Sequence, residues 1–320
     1  MIAREFVHRH SFRTMGTTVE MVLAGGEMTD ALGAFALAEV LAERWERTFS
    51  RFRPDSELSL LNGRAGETVV TSADLFTCVS AAVAAWRLTA GLFDPTILPA
   101  LLAIGYDRTF TAIDRSGALA EPFAPVPAPG LSGIRIDPAT RTIRLDPGVS
   151  IDLGGIAKGM YADVLAERLA GWPGGAVSAG GDLRVWGASP VGDHWSIGVE
   201  DPSRSDRDVA VIALDDGGVA TSGIGRRSWH RDRQTVHHLI DPRTGSPAAT
   251  GIRTVTVVSR TAMEAEVAAT ALFVGGESDI TLSRIAPLIA SVIIVRTTGE
   301  IREITGNLEG AVNARLANVA

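Results

Sequence analysis

The run His237-His238-Leu239-Ile240-Asp241-Pro242-Arg243-Thr244-Gly245 crowds an imidazole, a carboxylate, a guanidinium and a hydroxyl into one short stretch. Asp-Pro and Thr-Gly are turn formers, so the run predicts a loop after a strand from Gln234 to Ile240. A loop beside a strand is a common place to present chemistry at a sheet edge. His238 is a candidate general base, because imidazole titrates near neutrality and Asp241 and Thr244 follow at loop spacing. His8, His10, His194, His230 and His237 have no such partner in sequence and read as surface or structural residues.

Asp152-Leu153-Gly154-Gly155-Ile156-Ala157-Lys158-Gly159 has a strand end, two glycines and a helix start. Such a turn can bind an anion at the helix N-terminus, with Lys158 adding charge. A plain strand-to-helix turn with a solvated lysine fits equally well. Ser178-Ala179-Gly180-Gly181-Asp182 reads most simply as a bulged hairpin, and Phe93-Asp94-Pro95-Thr96 reads equally well as a site segment or a helix start. Glu266 and Thr270, four apart, share a helix face. They are either two oxygen ligands for a hard cation such as Mg²⁺ or part of a solvated acidic face with Glu264; spacing alone favours the second.

The elements that must position these residues alternate irregularly. Strands are expected over Phe12 to Leu23, Ala176 to Ser178, Leu183 to Trp186, Trp195 to Val199, Val209 to Leu214 and Thr254 to Val258. Two further strands, Val292 to Val295 and Glu300 to Ile304, pair across Thr298-Gly299, and a hairpin joins Ile134–Ile136 to Thr142–Leu145. Helices are expected over Asp30 to Arg47 (Thr29 as N-cap), Ser72 to Thr89, Gly155 to Leu169 and Thr261 to Phe273. Ser50 to Asn62 reads as a loop or short helical turn. Glu121 to Gly130, with four prolines, reads as an extended surface connection. Helices interrupting antiparallel strands, without regular βαβ units, indicate an α+β fold. Neither the dinucleotide fingerprint nor the Walker loop is present.

The chain of 320 residues is long enough for one large or two modest domains, with 46% apolar and 21% charged residues. A net charge of −7 without a basic cluster argues against nonspecific nucleic-acid binding. Cys78, the single cysteine, sits in an apolar helical pattern and reads as a buried hydrophobe. The N-terminal residues have no apolar signal region, and Ile285 to Val295 is too short and interrupted to cross a bilayer. A cytoplasmic protein without membrane insertion is the expectation.

Taken in order, these segments resemble the FAD:protein FMN transferase family, also called the ApbE family. The matching stretches are Thr14-Met15-Gly16-Thr17, Asp55-Ser56-Glu57-Leu58, Gly91 to Thr96, Asp152 to Gly159 with Asp163, Gly180-Gly181-Asp182, Thr221-Ser222-Gly223, His238 to Gly245 and Glu266 to Thr270. The resemblance implies one flavin transferase domain over 1–320, with sublobes about the Pro-rich connection at 121–130. It implies a T-fold-like core of mixed or antiparallel sheet with packed helices, and FAD in a cleft between two lobes. The implied reaction is attack by a Thr or Ser hydroxyl of an acceptor protein on the FMN phosphorus of FAD, releasing AMP. Hydrolysis of FAD to FMN and AMP, or FAD binding without catalysis, are the alternatives.

Roles follow by analogy. His238 would take the hydroxyl proton, oriented by Asp241. Met15, Ser56, Glu57, Leu58, Asp94, Lys158, Gly180, Gly181, Asp182 and Thr244 would contact FAD. Glu266, Thr270 and the backbone near Gly155 would hold Mg²⁺, with Mn²⁺ as the alternative metal. Glu266 stands where the family usually has Asp, Ser178-Ala179 where Asn is common, and Met160 where Tyr is frequent.

Overall fold

Strands rich in β-branched residues, such as Ile252–Ser259 and Ser291–Arg296, combine with strands of small residues to build an eight-stranded antiparallel sheet. Its strands are, in spatial order, Val7–Thr14, Thr17–Ala24, Gly174–Ala179, Asp182–Gly187, Gly217–Gly223, Ile252–Ser259, Ser291–Arg296 and Ile301–Thr305. The computed structural model describes residues 6–113, 122–225, 227–231, 234–306, 308 and 314–318.

Alternation splits the sheet's side chains between two cores. Met21, Leu23, Val177, Val255, Val257, Val292 and Ile294 face the helices. Val22, Ala176, Val185, Val219, Val258 and Ile293 face a smaller three-stranded sheet of Ala314–Asn318, Arg204–Leu214 and Trp195–Asp201. A third small sheet joins Thr68–Val70, Thr142–Leu145 and Ile134–Asp137.

The helices are α1 (Met28–Phe49), α2 (Glu57–Gly63), α3 (Ala73–Thr89), α4 (Leu98–Ala103), α5 (Ala157–Arg168), α6 (Ala262–Gly275) and α7 (Asp279–Ile285). Helix α6 is buried nearly all round, from Ala262 to Val274, as its alanine-rich sequence allows. It packs on α5 and on the strands Gly217–Gly223 and Ile252–Ser259. Gly159 permits the α5–α6 crossing: a Cβ there would lie 2.6 Å from the Ala262 carbonyl oxygen. Asp163 of α5 caps α6, accepting the N–H groups of Ala262 at 2.8 Å and Met263 at 2.9 Å.

The α+β architecture agrees with the sequence reading, and the differences are local. The expected strand Phe12 to Leu23 is a hairpin turning at Met15 and Gly16, both left-handed at φ 49° and 66°. Helix α1 begins at Met28, so Thr29 lies inside its first turn and the N-cap is Glu27. The strand expected over Gln234 to Ile240 breaks after His237 and resumes at Ile240–Asp241. The strands Gly217–Gly223 and Ser228–Arg231 and helix α7 were not expected from sequence.

Within the Pro-rich connection, residues 122–129 form no helix or strand and are mostly exposed; Glu121 lies outside the described residues. Ala128 donates to the Pro242 carbonyl at 2.9 Å, which ties this segment to the His238–Gly245 loop. Gly245 (φ 71°) allows the approach, since a Cβ would sit 2.1 Å from the Val126 carbonyl carbon. Among the described residues no helix is long and apolar enough to cross a membrane.

Candidate active site

One cleft of ≈ 1590 Å³ receives residues from every motif that the sequence singled out except the Ser56–Leu58 loop. Met15 and Gly180-Gly181-Asp182 reach it from two hairpin turns, Gly155 and Lys158 from the start of α5, and Glu266 and Thr270 from α6. Asp94 and His238 reach it from loops.

At its base the Lys158 ammonium lies between the carboxylates of Asp182 and Glu266. The second Glu266 oxygen accepts the Gly159 N–H at 2.9 Å. Both acids are 4% exposed, so the solvated acidic face favoured by spacing is not formed. Nor is Lys158 the solvated charge of a plain turn. Burial opposes its charge, but the two carboxylates outweigh burial and hold the ammonium above the ordinary lysine range. Burial first, and then the Asp182 charge, push Glu266 above the usual carboxylate range.

Two carboxylates thus share one ammonium, an arrangement that a further cation would relieve. The Thr270 hydroxyl, one turn beyond Glu266, is 3.2 Å from the Ser222 hydroxyl. A Cβ on Gly155 would be 4.0 Å from the Thr270 oxygen, so the backbone of that turn is adjacent. Among the described residues no three His, Cys, Asp or Glu side chains cluster as metal ligands. One carboxylate, a hydroxyl and a backbone carbonyl, completed by water and phosphate oxygens, is a set that Mg²⁺ accepts. The residues present fit the cation.

His238 is half-buried in the cleft wall, and its Nδ1 lies 3.4 Å from the Arg227 carbonyl oxygen. Burial, then the charges of Arg227 and the neighbouring His237, hold its imidazole well below the ordinary histidine range. The ring is therefore neutral at pH 7 and able to accept a proton.

Several expected roles are corrected. Asp241 does not orient His238. Its oxygens bind Arg243 side by side, Nε to Oδ1 and Nη2 to Oδ2, each at 2.8 Å. Thr244 shapes the same turn, accepting the Ser246 N–H at 3.2 Å, and does not line the cleft. Ser56 caps α2 through the Ser59 N–H, at 3.0 Å. Glu57 accepts both the N–H and the hydroxyl of Ser72, joining α2 to the cap of α3. Leu58 is fully buried in the core. Asp94 does line the cleft, yet its oxygens already hold the Trp86 indole at 2.8 Å and Thr96 at 2.7 and 2.6 Å.

The other histidines have local partners: the Gly26 carbonyl for His8, Glu39 for His10, Asp215 for His194, Thr235 for His230 and the Ala248 carbonyl for His237. Cys78 is buried, and burial raises its thiol.

Two arginines in the cleft wall escaped the sequence reading. Arg227 adds, after burial, to the depression of the His238 imidazole, and its signal is the Arg226-Arg227 pair after Gly225. Arg51, its side chain 7% exposed, pairs with Asp152 at 2.7 Å. Asp152 in turn accepts the Gly154 N–H at 2.8 Å, so Arg51 braces the Gly154-Gly155 turn. No local pattern could join Arg51 to Asp152.

Known proteins share both the sequence and the fold of this chain. The family model for the ApbE family matches residues 15–286. The FAD:protein FMN transferase of Treponema pallidum is 32% identical over 281 residues, covering 81% of this chain and 76% of that protein. The enzyme of the same name from Vibrio cholerae is 31% identical, covering 91% and 88%. Among solved structures, the ApbE protein of Thermotoga maritima superposes with a TM-score of 0.81 at 28% identity, covering 93% of this chain and 96% of that one. The flavin transferase ApbE from Vibrio cholerae gives 0.78 at 27% identity, covering 94% and 97%. By sequence and by fold, this chain belongs to the ApbE family.

Proposed function

We propose that the chain acts as a single flavin transferase domain that moves FMN from FAD to a Thr or Ser hydroxyl of an acceptor protein. The observation that carries this is one cleft in which a neutral imidazole, His238, faces a buried Lys158–Asp182–Glu266 cluster beside a glycine turn at a helix start. The names of the relatives, FAD:protein FMN transferase, supply the substrates.

In this reading the acceptor oxygen forms a bond to the FMN phosphorus. The pyrophosphate P–O bond breaks, and AMP leaves with that oxygen. His238 accepts the hydroxyl proton through the imidazole nitrogen not turned to the Arg227 carbonyl. The Gly154-Gly155 turn, braced by Asp152 and Arg51, lets phosphate oxygens approach the backbone. Glu266, Thr270 and the Gly155 backbone would hold Mg²⁺, or Mn²⁺ in its place. A cation there would neutralise charge developing on the phosphate oxygens. Lys158 balances the two buried acids rather than meeting the substrate as a free charge.

The test is incubation with FAD, Mg²⁺ and a carrier bearing a threonine-containing flavinylation peptide, read by the carrier's intact mass. A gain of one FMN that EDTA prevents is the expected result. AMP without carrier gain would instead make the protein an FAD pyrophosphatase, and neither product a binder of FAD.

A further inference from the structure

The cleft exceeds the needs of one small molecule: its ≈ 1590 Å³ compares with roughly 300–1,000 Å³ for ordinary ligand pockets. From the Gly180-Gly181 turn it continues over one face of the eight-stranded sheet, where Arg13, Glu20, Ser178 and Thr221 form a polar floor. Its far wall is the strand Trp195–Asp201, of which every residue from Trp195 to Glu200 borders the cleft.

That continuity is informative. Successive side chains of a strand point to opposite faces, so a strand that merely turned a face to the cavity would border it with alternate residues. An unbroken run borders it with the strand's edge. Trp195–Asp201 is the outer strand of its sheet and pairs, among the described residues, only with Arg204–Leu214. The unbroken lining from Trp195 to Val199 sets that outer edge of the strand beside the cleft. The usual guards of such an edge are missing: Trp195 to Val199 contains no proline and no charge, and Ser196 and Gly198 are exposed. The first register shift in its pairing comes only at Val199/Glu200.

We propose that this edge is the docking site for the acceptor protein, whose hydroxyl-bearing segment adds to Trp195–Val199 as an extended strand. The proposal rests on the transferase reading, which requires a second reactant in the cleft that holds His238. An edge recognises backbone first. The acceptor must then offer a loop or terminal segment free to extend, not a helix, and its side chains project onto the floor and toward solvent by turns.

The experiment uses the native enzyme with FAD, Mg²⁺ and the same threonine peptide, made as a series with one backbone N-methyl group at each position. Edge pairing uses alternate backbone groups of the added strand. Methylation at every second position near the threonine is expected to cut FMN transfer at least 10-fold, and the intervening positions to change it less than about 2-fold. AMP release into water stays constant across the series, and amide exchange in residues 195–199 slows when the unmethylated peptide is added. A flat profile with unchanged exchange overturns the docking site while leaving the transferase reading intact. An unmethylated peptide that gains no FMN while FAD is cleaved overturns that reading, and the docking proposal with it.

Discussion

Lys158, in the first turn of α5, meets Glu266 of α6 through its ammonium, and the same carboxylate accepts the N–H of the next residue, Gly159, at 2.9 Å. One acid thereby pins the start of α5 to the middle of α6, and the candidate phosphate and cation sites become one rigid unit. Glu266→Gln keeps the length and one acceptor oxygen but removes the charge. Lys158 retains Asp182, but the new amide NH2 must face one of the two buried donors, so stability should fall by about 1–2 kcal/mol. Affinity for Mg²⁺ should fall at least tenfold, read by titrating the metal against AMP release. Glu266→Leu also strands the Gly159 N–H and should cost about 1–3 kcal/mol in thermal unfolding. An unchanged Mg²⁺ titration in Glu266→Gln would move the cation elsewhere.

His238→Ala should lower transfer by about 10²–10⁴-fold with FAD binding retained, the range expected for loss of a general base. The pH profile gives a sharper check. Burial and Arg227 hold the imidazole below its ordinary range, so the folded protein binds the proton less readily than the unfolded chain. The base form persists below pH 6.5, and the acid limb of kcat/KM should lie under that value. The stability that accompanies the depressed imidazole is present above about pH 6.5 and is lost as pH falls through the folded-state value. Arg227→Gln removes a neighbouring charge and should move the limb upward toward 6.5. A limb that stayed in place would remove Arg227 from the account.

Much of this site could be read from the chain, because its parts lie in short runs: the His238–Gly245 loop, the glycine turn before Lys158, and the Glu266–Thr270 spacing. Their relations could not. Whether Glu266 is solvated or buried depends on Gly159, 107 residues earlier in sequence. The bracing of Asp152 by Arg51 is equally remote. The Met15-Gly16 turn was missed because Met is no turn former. The central strand Gly217–Gly223 was missed because its small residues give weak strand signal, although Ser222 reaches Thr270 from it.

Asp241 shows the opposite failure, in which a short-range partner was read wrongly. Arg243, two residues on, captures both carboxylate oxygens, and His238 turns instead to the Arg227 carbonyl. Asp241→Asn should therefore leave the acid limb of the pH profile unmoved and cost only turn stability, about 1 kcal/mol. A loss of transfer approaching that of His238→Ala would show that the Asp–His relation forms once substrate is bound.

Asp163 links the two helices from the far side. It accepts two backbone N–H groups at the start of α6, one turn before Glu266, and Arg184 lies 3.6 Å away. Asp163→Ala leaves both donors without their partner and should destabilise the fold by about 2–4 kcal/mol. It should also weaken Mg²⁺ binding, because Glu266 rides on the helix whose start has loosened. Burial outweighs the hydrogen bonds and pushes this carboxyl up to about 6. With the folded-state value raised, the folded protein binds the proton more tightly than the unfolded chain. The associated stability is full below about pH 4 and is lost as pH rises through 6. Asp163→Asn keeps an acceptor oxygen but does not titrate, so the pH 4–6 slope of unfolding free energy should flatten in that variant. An unaltered slope would assign the titration to another buried acid.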